Sequence, residues 1–168
     1  MALKKKMTGS EDTKQELTVK TLPKLTLKNS DGDDVSLGGL KGKKVVLFFY
    51  PKDNTPGCTM EGQEFNELHK SFKRLNTEIF GVSRDSVVSH DKYRCKFNFT
   101  FDLLSDQDEK LCKAFDVIKE KNMYGKKVMG IVRSTFVFDE NGKEIAEFRK
   151  VKPEGHAQEV LNQIKALG

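Results

Sequence analysis

A mixed α/β domain is the fold class this sequence predicts, and three observations predict it. Short β-type runs alternate with helix-type runs after residue 16, Val45–Tyr50 is apolar without interruption, and the chain closes on a hairpin pattern followed by an amphipathic stretch. Alternating strands and helices are the grammar of a sheet covered by helices. An uninterrupted apolar strand is expected where both sheet faces are buried. At 168 residues, with twelve phenylalanines and 36% hydrophobic residues, the chain has the length of one domain and the side chains to fill one core.

Taken in order, residues 1–16 are polar and rich in Lys and Glu, and are expected to form a flexible tail ahead of one domain spanning 17–168. Leu25–Leu27 reads as a short strand and Val45–Tyr50 as a central one. Phe65, Leu68, Phe72 and Leu75 recur at spacings of three and four, the stripe of a helix that faces a core. Glu78–Ser83 is the next strand, a helix is expected from Ser86 to about Phe97, and a short apolar run follows at Phe101–Leu104. Glu109–Phe115 reads as a further helix. Ser134–Phe138 and Lys143–Arg149, joined by Asp139-Glu140-Asn141-Gly142, form an antiparallel hairpin with an Asn-Gly turn. Pro153 suits a helical first turn, and Ala157, Val160, Leu161, Ile164 and Leu167 make the stripe that docks this last helix on the sheet. Together these elements describe a thioredoxin-like fold, a central mixed β-sheet flanked by helices.

Composition excludes several function classes. The net charge is +5, but 30 basic and 25 acidic residues are mixed along the chain with no basic block beyond Lys4–Lys6, the pattern of a solvated surface rather than a nucleic-acid footprint. No apolar run approaches the roughly 18 residues that span a bilayer, so no membrane partner is expected. The opening MALKKKMTGSEDTKQ lacks the apolar core of a secretory signal, the first arginine is Arg74 and acids begin at Glu11, so the expected location is the cytoplasm. Three cysteines do not make a disulfide-stapled scaffold. With neither C-x-x-C nor H-E-x-x-H spacing, no metal site is expected. His69, His90 and His156 lie in helix-type stretches among polar neighbours and are expected on the surface, which argues against a cysteine hydrolase.

One cysteine stands in a chemically informative place. Pro51 ends the central strand, Pro56-Gly57 turns the chain into a helix, and Cys58 falls in or near the first turn. There the helix dipole and unpaired N–H groups favour an anion. A thiol with a pKa of about 8.5 is only roughly 3% ionised at pH 7, whereas one near 6 would be about 90% thiolate. A buried cysteine serving only as a small hydrophobe is the alternative; the polar neighbours Lys52, Asp53, Asn54, Thr55 and Glu61 favour a reactive thiol. Glu61 occupies the place where a thioredoxin-type dithiol would carry its second cysteine, so the nucleophile works first alone. A lone thiolate suits attack on a peroxide O–O bond, giving a sulfenic acid. Such a site needs donors that follow the charge to the leaving oxygen, and Thr55 is near enough in sequence to offer a hydroxyl.

Pro51, Thr55 and Cys58 match the P-x-x-x-T-x-x-C signature of peroxiredoxins. The longer strings YPKDNTPGCT, GVSRDS at 81–86, KAFDVIKEKNMYGKKVMGIVRSTF at 113–136 and GHAQEVL at 155–161 closely resemble the peroxiredoxin Q subfamily, also called bacterioferritin comigratory protein, over roughly residues 17–168. The resemblance implies a thioredoxin fold with an N-terminal extension. It also implies reduction of hydrogen peroxide and organic hydroperoxides without cofactor or metal, a thioredoxin or glutaredoxin-like reductant, and a monomer. Residue by residue it makes Cys58 the peroxidatic cysteine, gives Thr55 and Pro51 the shaping of its pocket, and promotes Arg133 to the arginine that holds thiolate and peroxide. Many members carry a resolving cysteine five residues after the first, where this chain has Gln63. Others place it on the following helix, where Cys95 lies between Arg94 and Lys96, whose charges favour its thiolate, and others have none. Cys112, beside Leu111 on a stripe with Phe115 and Ile118, is expected to pack inertly. A peroxide-sensing module that oxidises a partner protein is the alternative to an enzyme.

Overall fold

The computed structural model describes residues 21–167; the tail expected over 1–16 and the domain start at 17 lie outside the described residues. In chain order the strands are β1 (Thr26–Asn29), β2 (Asp34–Ser36), β3 (Lys44–Phe49), β4 (Thr77–Ser83), β5 (Asp102–Ser105), β6 (Ile118–Met123), β7 (Lys126–Ile131), β8 (Ser134–Phe138) and β9 (Glu144–Arg149). The helices are α1 (Pro56–Glu67), α2 (His69–Arg74), α3 (Val87–Phe97), α4 (Lys110–Ala114) and α5 (His156–Leu167). Seven strands form one mixed sheet in the order β9-β8-β3-β4-β5-β1-β2, with β3, β4 and β5 parallel and the outer pairs antiparallel.

The uninterrupted apolar run of β3 has a direct physical cause. Side chains alternate across a strand, and here both faces are covered. Val46, Phe48 and Tyr50 join a core with Phe65 and Phe72 of the α1–α2 segment, Tyr93 of α3, and Ala157, Val160, Leu161 and Ile164 of α5. Val45, Leu47 and Phe49 join a second core on the opposite face with Leu111, Cys112, Phe115, Phe136 and Phe138. Burial raises the Cys112 thiol well above its ordinary range, in line with its packing role.

Several expectations are corrected. The helical stretch through Phe65, Leu68, Phe72 and Leu75 is two helices, because Leu68 at φ −94° and ψ 2° leaves helical geometry. The last helix begins at His156 rather than Pro153, since Gly155 at φ 78° interrupts the turn. Two elements carried no apolar alternation to reveal them. One is β2, reading DVS, and the other is the β6–β7 ribbon, whose first strand reads IKEKNM. The ribbon reverses through Tyr124 and Gly125, both at positive φ (53° and 80°), the requirement of a tight hairpin turn. All three histidines are buried rather than on the surface, at 6% (His69), 0% (His90) and 2% (His156) exposure. Each finds a partner: His69 the Thr100 hydroxyl, His90 Asp53, and His156 Thr135 and Glu159.

The core under the site is tightly packed at Gly81 of β4. A Cβ there would stand 2.8 Å from both Leu103 Cδ2 and Phe48 Cζ, and 3.2 Å from Tyr50 Cε1. Overpacking of this kind costs about 1–3 kcal/mol. Gly81→Ala is therefore expected to lower unfolding free energy by that amount in chemical denaturation, and an unchanged midpoint would contradict the packing described.

Candidate active site

The site is built where β3 ends and α1 begins. Tyr50, fully buried, follows the strand; Pro51 stops the ladder; Asn54 turns the chain at φ 60°; and Thr55, extended, is the residue before the helix. Pro56 is the first helical residue, with no N–H to satisfy, and Cys58 is the third, so it stands in the first turn as the sequence indicates. No acidic side chain lies in that turn. The dipole makes this the positive end of the helix.

Cys58 is 2% exposed. Arg133, in the short link between β7 and β8, reaches it from the other end of the chain: Nη2 donates to Cys58 Sγ at 3.4 Å, and Nη1 donates to Glu61 Oε1 at 2.7 Å. The link is held from behind, because the Arg133 carbonyl accepts the Val151 amide at 3.0 Å. Gly57 makes the approach possible, since a Cβ there would lie 3.3 Å from Arg133 Nη2 and 3.4 Å from Pro153 Cγ. The structure thus brings Cys58 and Arg133 together.

The other expected residues stand differently. Thr55 uses its hydroxyl as a donor to the Lys52 carbonyl at 2.9 Å, which closes the loop and leaves the hydroxyl oxygen as an acceptor. Pro51 is half-buried at the bend that opens the loop. Cys95 is exposed on α3 and is not bonded to Cys58. Its thiol donates to Asp91 at 3.7 Å, so the group it meets is an acid one turn back rather than the flanking Arg94 or Lys96.

Glu61 is the residue that sequence reading passed over as one polar neighbour among several. It is fully buried, and Oε2 has no hydrogen-bond partner among the described residues. Burial pushes its carboxyl up to about 7, against the pull of the adjacent Arg133. The available signal was its spacing: Cys58, Glu61, Gly62 and Phe65 are the buried residues of α1, at the three-to-four rhythm of an inward face.

Asp53, Asp85 and His90 have the composition of a metal site, with candidate ligand atoms within 4.8 Å of one another. Those atoms are already engaged. Asp53 and His90 bond each other at 2.7 Å, and Asp85 Oδ2 accepts the Asp53 amide at 2.9 Å and the Ser83 hydroxyl at 2.6 Å.

The AhpC/TSA family model matches residues 19–146. The chain belongs to this family. Peroxiredoxin Bcp of Xanthomonas campestris pv. campestris is 54% identical over 142 residues, covering 84% of this chain and 89% of that protein. Peroxiredoxin Bcp of Bacillus subtilis is 50% identical over 145 residues, covering 86% and 92%. A solved structure of the Xanthomonas campestris bacterioferritin comigratory protein, described in connection with its alkyl peroxide reduction, has a TM-score of 0.83 at 51% identity and covers 89% of this chain and 98% of that one. The thioredoxin-like peroxiredoxin fold is shared along nearly the whole described chain, and the protein is a thiol-dependent peroxidase. No helix among the described residues is long and apolar enough to cross a membrane.

The Glu61 carboxyl gives a testable pH dependence. A carboxyl near 4.5 when unfolded and about 7 when folded stabilises fully below about 4.5, and that contribution is lost as pH rises through about 7. The full difference is worth up to about 3 kcal/mol. Relative to wild type, Glu61→Gln is expected to gain stability across pH 4.5–8 in denaturant titrations, and a wild-type-minus-variant difference independent of pH would contradict the assignment.

Proposed function

We propose that the protein reduces hydrogen peroxide and organic hydroperoxides through a Cys58 sulfenic acid and is recycled by thioredoxin or a similar dithiol protein. The observation that carries this reading is the Arg133 guanidinium 3.4 Å from a sulfur in the first turn of a helix. In the first step the Cys58 thiolate attacks the nearer oxygen of ROOH and the O–O bond breaks. The sulfur becomes Cys58–SOH, and the leaving alkoxide takes a proton to depart as ROH. Arg133, a planar fork, stabilises the charge on sulfur and follows it to the leaving oxygen. Thr55, with its proton already donated, presents its oxygen to a protonated group in the pocket, and Pro51 shapes the rim.

Cys95 then supplies the second sulfur: its thiol attacks Cys58–SOH, a disulfide forms and water leaves. The reductant exchanges its own dithiol for this disulfide and restores both cysteines. Alkyl peroxide reduction by the Xanthomonas campestris relative supports organic hydroperoxides as substrates. The cytoplasm is the proposed compartment, and a monomer is the proposed working unit.

An NADPH-coupled assay with thioredoxin and its reductase tests this reading, comparing hydrogen peroxide with a bulky organic hydroperoxide. Multiple turnovers are expected; one equivalent consumed, followed by a stable mixed disulfide with another protein, would make the chain a sensor. Cys58→Ser is expected to abolish turnover, since an alcohol does not provide the anion at neutral pH. Arg133→Lys is expected to lose about 10²–10³ in rate, the cost of one oxyanion donor. A Lys variant near wild type would assign the partner role to another group.

A further inference from the structure

Asp53 lies in the loop ahead of Cys58, and its side chain gathers contacts that the peroxide chemistry does not use. The residue is only 7% exposed. Oδ1 accepts the Tyr50 hydroxyl at 2.6 Å, and Oδ2 accepts both the Ser89 hydroxyl and His90 Nδ1 at 2.7 Å. His90 Nε2 in turn faces the Leu104 carbonyl of β5 at 3.0 Å. Both ring nitrogens therefore face oxygen atoms of other elements. The loop backbone is fixed at the same residue, where the Asp53 amide donates to Asp85 at 2.9 Å. One buried carboxylate thus ties the end of β3 to the first half of α3 and, through His90, to β5. Charge-assisted bonds in a buried network are the strong kind.

Beyond His90, α3 carries no such hydrogen-bonded network among the described residues. The Tyr93 ring packs in the core against Tyr50, Phe97 and Phe99, its hydroxyl reaches Thr59 at 3.4 Å, Arg94 pairs with Asp31 at 3.8 Å, and Lys96 reaches the Asn54 side chain at 3.2 Å on the surface. Cys95 itself is exposed, ahead of Asn98, which ends the helix in the left-handed conformation. A disulfide forms only when the two Cα atoms come within about 7 Å; Cys58 is buried in the first turn of α1 and Cys95 is exposed on α3, so the proposed link draws on local opening after oxidation.

We propose that Asp53, Ser89 and His90 form a clasp that holds the Pro51–Thr55 loop and the first half of α3 in place while the turn Arg94–Phe97 unwinds to deliver Cys95 to oxidised Cys58. This rests on the reading of Cys95 as the resolving cysteine. The clasp residues touch neither sulfur nor peroxide; they are positioning residues that set how far the protein opens. A tight clasp keeps the peroxide pocket assembled and makes resolution slow, whereas a loose one frees Cys58 and disorganises the pocket together.

Quenched-flow mass spectrometry separates the two steps. Ser89→Ala removes one neutral donor and keeps the Asp53–His90 pair, so it serves even if Asp53→Asn fails to fold. Ser89→Ala is expected to slow the bimolecular reaction of Cys58 with peroxide and to speed the unimolecular formation of the disulfide, each by about threefold to tenfold, the worth of one hydrogen bond. Asp53→Asn moves both further in the same directions. A role in stability alone would lower the melting temperature and leave the ratio of the two rates unchanged. In reduced wild type, amides of 90–93 are expected to exchange more slowly than those of 94–97, and Ser89→Ala to close the gap. Two rates that fall together, or equal exchange in the wild type, overturn the clasp while leaving a Cys58–Cys95 disulfide intact. Absence of that disulfide on peptide mapping of oxidised wild type overturns the resolving role of Cys95 first, and the proposal with it.

Discussion

Arg133 stands with one nitrogen 3.4 Å from Cys58 Sγ and another 2.7 Å from Glu61 Oε1, and much of the surrounding architecture is arranged so that one guanidinium can hold both. A buried cation is costly unless it is paired. Glu61 supplies the pair from the second turn of the helix whose first turn carries the sulfur. Gly57 withholds the side chain that would block the approach, and the Val151 amide fixes the link on which Arg133 rides. The parallel strands β3, β4 and β5 bring the start of α1 to the edge of the sheet where ligands of α/β folds bind. The fork meets the sulfur from this position, the placement that the proposed peroxide step uses.

In the proposed cycle, opening after oxidation draws on an uneven distribution of contacts around this fixed point. Short buried hydrogen bonds lie at Tyr50, Asp53 and His90, while the end of α3 that carries Cys95 is held by the Tyr93 ring in the core, an Arg94–Asp31 pair at 3.8 Å and an exposed Lys96–Asn54 bond. Elements that must move are drawn from the less stable end of a structure. Of the two sulfurs in the proposed disulfide, Cys58 lies in the core and Cys95 at the surface.

Most of the fold was legible in the sequence because its strands and helices are buried enough to show their periods. Val45–Tyr50 fills two cores, and the stripe of α5 faces one of them. What was not legible had no such period: β2 and the β6–β7 ribbon are mostly exposed, with burial only at Gly130 and Ile131 at the end of β7, and their pairing comes from turn geometry rather than apolar alternation. At the site, Cys58 was readable from local chemistry, a proline-glycine turn into a helix. Arg133 was readable only through family resemblance, because it lies 75 residues away and nothing in its own neighbourhood marks it. For Glu61 and the histidines, polar neighbours in sequence point to the surface. Their spacing says otherwise, with Glu61 three residues after Cys58, His69 three before Phe72, and His90 three before Tyr93, all on inward faces.

Exposure and activation make opposite forecasts about which sulfur reacts first. Cys95 is exposed and Cys58 is 2% exposed, so a reaction governed by access alone would begin at Cys95. Adding one equivalent of hydrogen peroxide to the reduced protein in excess sulfenic-acid trap, then locating the adduct by peptide mass spectrometry, decides between them. The arrangement of Cys58, Arg133 and the helix start predicts the adduct on Cys58, and an adduct mainly on Cys95 or Cys112 would contradict it.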